Sequence, residues 1–311
     1  MQNELNVSIA PHIKSPRTTT GIMLDVIIAL CPAAIAGIII FGIGAFAVIA
    51  MSVIAAVAAE YLFCLITKRP NTVKDLSAAV TGLLLALNLP ADTPVWQVAI
   101  GAVFAVIFVK CIFGGIGQNF ANPAITARIF MLIAFTNVTV SAYPIWQKVD
   151  TISSATPLAQ LTDKSLPNLL DLFIGNRGGA IGEVCIAALL IGAVYLIVKK
   201  VISPAAPLAF IGTVYAMSLI YEGGDFIMSL GWIMSGGLVL GAFFMATDYA
   251  TTPTTTVGKI VFGVGAGLIT AMIRFFGTYP EGVSYAILLM NILTPYIDRF
   301  TQRKPFGGDA K

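Results

Sequence analysis

The chain has 311 residues, of which 58% are hydrophobic and 11% are charged, and its formal net charge is +3. A soluble domain carries about 25% charged residues, so this composition and a mean hydropathy of +0.90 exclude an ordinary soluble protein and indicate a membrane protein. The small positive charge predicts membrane orientation and gives no indication of nucleic-acid binding.

Apolar runs near the ~20 residues that span a bilayer as a helix recur along the whole chain. The first run, GIMLDVIIALCPAAIAGIII, follows an N-terminal arm of residues 1–21. It is predicted to be a membrane helix and not a secretory signal, because a polar stretch precedes it and many similar segments follow. The predicted fold class is an all-α integral membrane protein with about ten transmembrane helices. The spans are predicted at 22–42, 45–66, 77–89, 95–116, 123–140, 181–198, 205–221, 229–247, 258–276 and 284–300, of which the third and fifth are short.

The polar stretch 141–180 separates a first five-helix half (22–140) from a second (181–300), and residues 301–311 form a tail. An odd number of spans in each half makes the halves run in opposite senses, which predicts two inverted five-helix halves. A weak sequence similarity between the two halves favours this prediction. When the sequence is aligned with itself at an offset of 162 residues, four positions carry identical residues: Gly101, Ile107, Phe113 and Gly115 align with Gly263, Ile269, Phe275 and Gly277.

Basic residues predict the orientation, since cytoplasmic loops hold the excess of lysine and arginine. An even number of spans puts both termini on one side, and that side holds fourteen of the eighteen basic residues: Lys14, Arg17, Lys68, Arg69, Lys74, Lys110, Arg128, Lys199, Lys200, Lys259, Arg299, Arg303, Lys304 and Lys311. The other side holds Lys148, Lys164, Arg177 and Arg274. Both termini are therefore predicted to be cytoplasmic and the loop 141–180 extracytoplasmic.

The cysteines and the single histidine do not predict a metal site. Cys31, Cys64, Cys111 and Cys185 are scattered singly within apolar runs, where cysteine behaves as a small apolar residue. His12, the only histidine, lies in the N-terminal arm.

Each half contains a break rich in glycine and polar residues. The first is GGIGQNFANPAITARIF at 114–130, and the second is ATDYATTPTTTVGK at 246–259, followed by RFFGTYPEGVSYA at 274–286. One interpretation is a pair of ordinary loops with helix caps. The other is irregular backbone that faces a central binding site, because helix ends present unpaired N–H and C=O groups to a ligand.

Ionisable residues within spans are costly and need an explanation. The candidates are Asp25, Glu60, Lys110, Arg128, Asp248 and Arg274. Positions near helix ends favour a structural role for Glu60 and Lys110, whose side chains reach the interface. Arg128, Asp248 and Arg274 belong to the breaks, where arginine could bind a phosphate or a reduced ring, so structural and functional roles are equally favoured.

The loop sequence DTISSATPLAQL, residues 150–161, is rich in hydroxyl groups. Thr156 before Pro157 predicts a helix N-cap followed by proline at the first helical position. A helix start also favours anions, so a hydroxyl there could hold a phosphoester.

This stretch resembles the flavinylation signature Asp-x-x-(Ser/Thr)-(Gly/Ser)-Ala-Thr, with Asp150, Ser153, Ser154, Ala155 and Thr156 at its fixed positions. The remainder resembles the D-type membrane subunit of the Rnf electron-transport complex, which is related to the B-type membrane subunit of the Na⁺-translocating NADH:quinone reductase. The segments GGIGQNFANPA, with Asn122 and Pro123, FFMATDYATTPTT and TYPEGVSYAILLMNILTPYID support the resemblance over essentially the full length.

The resemblance implies a membrane component of an ion-translocating ferredoxin:NAD⁺ oxidoreductase in a bacterial or archaeal cytoplasmic membrane. A flavin transferase would attach FMN to the Thr156 oxygen as a phosphodiester, and a second, noncovalent flavin is possible by analogy with the quinone reductase. The other subunits of a hetero-oligomeric complex and the lipid bilayer would be its partners.

The flavin performs the redox chemistry; no residue is predicted to be catalytic by itself, and the overall reaction requires other subunits. Asn122, Arg128, Asp248 and Arg274 are the further candidate cofactor-binding residues, and Asp25 and Asp248 are candidate ion ligands. The alternative is an inverted-repeat channel or transporter for a small solute.

Overall fold

The computed structural model describes residues 17–135, 142–146, 157–162, 164, 168–277 and 282–302. Regular structure in these ranges is helical throughout, and the only β pairing there is an isolated bridge between Ala142 and Gly179. The predicted all-α class is thus confirmed for the described part of the chain.

Five α-helices lie in the described residues before the polar loop, with a short 3₁₀-helix over Val73–Asp75 between the second and the third. They are α1 (Thr19–Phe41), α2 (Ile43–Ile66), α3 (Ser77–Leu87), α4 (Val95–Phe104, continued as a π-helix over Ala105–Cys111) and α5 (Pro123–Ala134). Local sequence explains several of their ends. Thr18 caps α1 by accepting a hydrogen bond from the Gly21 amide at 3.1 Å, and Gly42 ends it with a φ of 73°.

Two short helices and six further elements follow. They are α6 (Pro157–Thr162), α7 (Leu169–Ile174), α8 (Ile186–Val198), α9 (Ala205–Tyr221), α10 (Phe226–Met234), α11 (Leu238–Leu240, continued as a π-helix over Gly241–Met245), α12 (Thr256–Phe276) and α13 (Val283–Thr301). Asp225 and Thr255 cap α10 and α12 through their side-chain oxygens.

Three helices, α1, α2 and α12, are long and apolar enough to cross a membrane by length and composition. The pair α10 and α11 passes the same test together but bends by 67°, and α3, α4, α5, α8 and α9 are shorter apolar helices. The predicted span 229–247 therefore does not form one continuous helix. Gly236, with a φ of 67°, adopts a left-handed conformation that interrupts it. The number of ten spans stays a prediction.

Polarity is distributed as expected for a protein in lipid, with large apolar side chains outside and polar ones within. Ile43, Ile133 and Phe300 are among the most exposed side chains, whereas Ser52 and Asn291 are buried. Small residues let the helices approach closely. A Cβ on Gly192 of α8 would lie 2.0 Å from the carbonyl oxygen of Ala29 on α1, so only glycine fits there.

The short helices α3 and α11 end beside one another in the interior. Asn88, directly after α3, donates to the Leu84 carbonyl at 2.7 Å and contacts the Met245 sulfur at 3.6 Å. Met245 is the last residue of the π-helical continuation of α11. Two short helices thus bring their C-terminal ends together at the centre of the described structure.

Candidate functional site

The break between α10 and α11 is held by an arginine from the end of α12. Arg274 Nη1 donates to the Trp232 carbonyl at 2.6 Å, and Nη2 donates to the Ser235 carbonyl at 3.0 Å. These oxygens belong to the last turn of α10, where carbonyls lack helical partners. Arg274 therefore has a structural role in the break, and its guanidinium lies next to the Cα of Gly236.

The helix α6, which starts one residue after Thr156, packs onto this break. Leu158 and Leu161 are buried in a small cluster with Met228 and Trp232, against the ring of Phe275. A Cβ on Gly236 would lie 3.9 Å from Leu158 Cδ1, so α6 lies next to the same glycine that Arg274 approaches. The chain is thus fixed by packing contacts directly after residue 156.

Two more buried charged residues, Arg128 and Glu183, lie beside the neighbouring backbone, and a third, Arg177, is bonded to Glu183. A Cβ on Gly237 would lie 3.6 Å from Glu183 Oε2, and Arg128, Glu183 and Gly237 line one small internal pocket. Arg177 donates from Nη2 to the Glu183 carbonyl oxygen at 2.7 Å. We call Arg128, Arg177, Glu183 and Arg274 the arginine cluster. It forms where α5, the 175–185 segment and α12 meet the α10–α11 break.

The arginine cluster holds most of the buried charged side chains of the described ranges. Six charged side chains are buried there, and two of them, Glu60 and Lys110, form an ion pair of 2.9 Å elsewhere. The other four are three arginines and one glutamate. Burial lowers the pKa of Arg177, and the nearby Glu183 carboxylate opposes that shift.

A second candidate region lies beside the start of α5 and the segment after α11. A cavity of about 260 Å³ is lined by Ser77, Lys110, Asn119, Asn122 and Asp248, among others. Asn122 caps α5 through the Ala124 amide at 3.0 Å and donates to the Met245 carbonyl oxygen at 3.2 Å. Asp248 accepts a hydrogen bond from the Thr251 hydroxyl at 3.2 Å.

The structure thus divides the residues predicted from the two breaks. Arg128 lines the small pocket beside Gly237 and Arg274 lies against Gly236, whereas Asn122 and Asp248 line the second cavity. Asp25 lies in neither place and accepts a hydrogen bond from the Tyr195 hydroxyl at 2.7 Å. The motif residues Asp150, Ser153, Ser154, Ala155 and Thr156 lie outside the described residues.

Sequence reasoning missed Arg177 and Glu183 as candidate site residues. Both belong to GNRGGAIGE, residues 175–183, which joins the polar loop to α8. The glycines and the two opposite charges of this segment could have indicated a functional role, but nothing in the sequence places the segment beside α11. Within the described ranges, no group of three or more histidine, cysteine, aspartate or glutamate side chains is arranged to hold a metal ion.

The residues of the arginine cluster fit a phosphate-bearing cofactor. Arginine presents several N–H donors in a planar fork that matches phosphate. In Arg177 the Nε and Nη1 atoms are buried without a hydrogen-bond partner among the described residues. Apolar helices around a small internal pocket with buried charged residues define a helical membrane protein with a polar interior.

The chain belongs to the NQR2, RnfD, RnfE family, whose model matches residues 6–307. It is 49% identical to the D subunit of the Na(+)-translocating ferredoxin:NAD(+) oxidoreductase complex of Acetobacterium woodii, over 98% of this chain and 96% of that one. It is 41% identical to the D subunit of the proton-translocating ferredoxin:NAD(+) oxidoreductase complex of Clostridium ljungdahlii, over 98% and 97%. It is also 34% identical to the D subunit of the ion-translocating oxidoreductase complex of Ectopseudomonas mendocina, over 96% and 94%.

Proposed function

We propose that this chain is the flavin-carrying D-type membrane subunit of an ion-translocating ferredoxin:NAD⁺ oxidoreductase. In this proposal FMN is attached through a phosphodiester to the Thr156 oxygen, and the protein relays electrons and contributes to Na⁺ or H⁺ movement. The observation that carries the proposal is similarity over nearly the whole chain to proteins named as the D subunits of such complexes. The overall reaction needs the other subunits.

The described structure supports attachment at Thr156 in two ways. Pro157 begins α6, and α6 is anchored on Trp232 by buried leucines, which holds the start of this helix in place. Arg274 and Arg128 lie beside Gly236 and Gly237 of the same break, and arginine side chains are suited to bind a phosphodiester. Bound FMN would supply electron-transfer chemistry, while these residues would anchor it and tune its electrostatic surroundings.

Two inverted five-helix halves are part of this proposal, and a correspondence between α4 and α12 supports them. Lys110, near the end of the first helix, contacts Ser77 at the start of α3. Arg274, near the end of the second, contacts Ser235 three residues before α11. In each half a basic residue thus bonds to the chain near the beginning of a short central helix, directly at α3 for Lys110 and at the preceding end of α10 for Arg274. The two short helices meet at Asn88 and Met245. Broken helices in matching places are typical of inverted repeats.

The excess of basic residues on one side supports cytoplasmic termini and a flavin on the extracytoplasmic side. The partners in this arrangement are the other subunits of the complex, a flavin transferase during maturation, and the bilayer of a bacterial or archaeal cytoplasmic membrane. The names of the relatives include both Na⁺ and proton translocation, so similarity alone leaves the coupling ion open. The second, noncovalent flavin stays a proposal by analogy.

The test is the intact mass of the protein purified from a host that has the flavin transferase. We expect an FMN-sized increment that fragmentation maps to Thr156, and fluorescence of the denatured band under ultraviolet light. Thr156→Val should abolish both signals and leave the protein in the membrane. Thr162→Val is the matched control, because Thr162 lies at the end of α6 and its hydroxyl donates to the Leu158 carbonyl, within its own helix.

Fluorescence that persists in Thr156→Val would show that the attachment site is wrong, and fragmentation would then distinguish Ser153 or Ser154. A native protein of unmodified mass would refute covalent attachment and favour the channel or transporter alternative. An intact rate of ferredoxin-dependent NAD⁺ reduction in the Thr156→Val complex would contradict the electron-relay role.

A further inference from the structure

Two segments of the polar loop pack against the end of α1. A Cβ on Gly42, the residue that ends α1, would lie 2.5 Å from Ile145 Cδ1. A Cβ on Gly175, the residue that ends α7, would lie 2.9 Å from Ile40 Cδ1 in the last turn of α1. Both loop segments therefore contact the same end of the same long helix.

The two segments are also bonded to each other, and an apolar surface is exposed around them. The Trp146 indole N–H donates to the Asn176 side-chain oxygen at 2.6 Å, while 54% of the tryptophan surface remains exposed. Five aliphatic side chains beside this contact are exposed as well. We call the set the α1-end patch: Ile39, Ile43, Ile145, Trp146, Leu170 and Ile174.

The sequence of α7 gives this short helix one exposed apolar face. Leu170 and Ile174 are four residues apart and so lie on the same face, where they are 69% and 64% exposed. Leu172, on the opposite face, is 1% exposed. Asp171, the only charged residue of α7, is half-buried and accepts a hydrogen bond from the Asn176 amide at 3.4 Å. An exposed apolar patch of this kind marks a surface that a membrane or a partner covers.

The length of α1 places the patch at the boundary of the hydrocarbon core. α1 has 23 residues and is therefore about 35 Å long. The hydrocarbon core is about 30 Å thick, so a helix that crosses it ends among the headgroups. Tryptophan is enriched at that level, where its ring is in an apolar setting and its N–H finds a hydrogen-bond partner.

The patch is also continuous with surfaces that face lipid. Ile39 lies on α1 and Ile43 on α2, and both helices are long and apolar enough to cross a membrane. These two side chains are 66% and 82% exposed. The loop residues thus extend the lipid-facing surface of α1 and α2 at its end, which favours the bilayer over a protein as the occupant.

We infer that the α1-end patch binds the bilayer, with Trp146, Leu170 and Ile174 inserted between the headgroups and the acyl chains. α7 is then an interfacial helix. It packs against α8 and α10, and it leads directly into the segment that carries Arg177 and Glu183. Lipid contact at α7 therefore holds that segment at a fixed depth in the membrane. The inference requires a membrane protein and does not depend on an attached flavin.

The first test is photo-crosslinking of the complex in native membranes, with p-benzoylphenylalanine in place of Leu170. We expect mass spectrometry to find phospholipid adducts on this peptide. The same label in place of Ile43 is the positive control, and in place of Lys164, an exposed cation between α6 and α7, it is the matched control. The adduct yield at position 170 should be several times that at position 164. Position 174 gives a second measurement if the label at 170 prevents assembly.

The products identify the occupant of the patch. Cross-links from positions 170 and 174 to another subunit would show a protein docking surface and overturn the inference. A lipid yield at both positions no higher than at position 164 would show that the patch faces water, and would also overturn it.

The second test measures the depth of Trp146 in nanodiscs that contain the purified complex and brominated phospholipids. The contribution of Trp146 is the difference in fluorescence between the native complex and the Trp146→Phe complex. We expect bromine near the headgroup end of the acyl chain to quench this contribution more than bromine near the chain terminus. A contribution that neither lipid quenches, or that only the deep bromine quenches, would contradict a position at the boundary.

Discussion

Replacing Lys110 with methionine is predicted to be one of the most damaging single changes in the interior. Lys110 Nζ lies 2.9 Å from Glu60 Oε1, and the two residues are 3% and 1% exposed. Lys110 also donates to the Ser77 hydroxyl, while the same Glu60 oxygen accepts from the Thr72 hydroxyl at 2.7 Å. Methionine fills much of the same volume but leaves the Glu60 carboxylate buried with only Thr72 as partner among the described residues.

The magnitude follows from the penalty for an uncompensated buried charge. Removing one partner of a buried ion pair costs about 3–5 kcal/mol, whereas removing both is often close to neutral. The double variant Glu60→Gln with Lys110→Met should therefore recover most of the stability lost in Lys110→Met. Lys199→Met is the matched control, because the Lys199–Asp25 pair is 3.9 Å long and the lysine side chain is 52% exposed. Such an exposed pair contributes at most about 1 kcal/mol.

The assay is the melting temperature of the protein in purified complexes, with its amount in the membrane as a second readout. We expect a large drop for Lys110→Met, a small one for Lys199→Met and recovery in the double variant. Equal losses in the two single variants would refute the assignment of a buried, mutually compensating pair. A double variant as damaged as Lys110→Met would show that Lys110 acts through Ser77 and not through Glu60.

Two further predictions concern helix packing and capping. Gly192→Ala should destabilise the protein by about 1–3 kcal/mol, because the new methyl group on α8 would clash with the backbone carbonyl of Ala29 on α1. Gly212→Ala is the control. It has open space around its Cα, so it should be neutral or slightly stabilising in the same thermal assay. Asn122→Ala should lower the stability by about 1–3 kcal/mol, because it removes both the α5 cap and the hydrogen bond to the Met245 carbonyl. Asn122→Asp should have a stability between that variant and the native protein, because aspartate retains only the cap. A loss in Asn122→Asp as large as in Asn122→Ala would contradict this division of roles.

Local sequence patterns predicted most helices with useful accuracy. The predicted span 205–221 coincides with α9, and α12 and α13 begin within two residues of their predicted starts. Each of these segments has long apolar runs, and Thr255 supplies a cap before α12. The predicted span 229–247 corresponds to the bent pair α10 and α11, and the sequence did not predict the bend at Gly236, since a hydropathy window averages over a single glycine.

The candidate site was predictable in part. Arg128, Asp248 and Arg274 were selected because charges are costly in apolar spans. The structure places Arg128 beside Gly237 and Arg274 against Gly236, whereas Asp248 lines the second cavity with Asn122. Because the long helix α12 lies between Asp248 and Arg274 in the chain, their membership of neighbouring sequence segments did not specify their surroundings.

The sequence by itself determined the all-helical class, the membrane environment, the family resemblance and the basic residues that predict orientation. These follow from composition, apolar run length and short motifs, which are properties of consecutive residues. Only the tertiary structure decided that Arg177 and Glu183 join Arg128 and Arg274, and that α6 rests on Trp232. Those contacts connect residues far apart in the chain. They depend on how the helices pack against one another, including close approaches of the backbone at glycines, and no local sequence pattern specifies that packing.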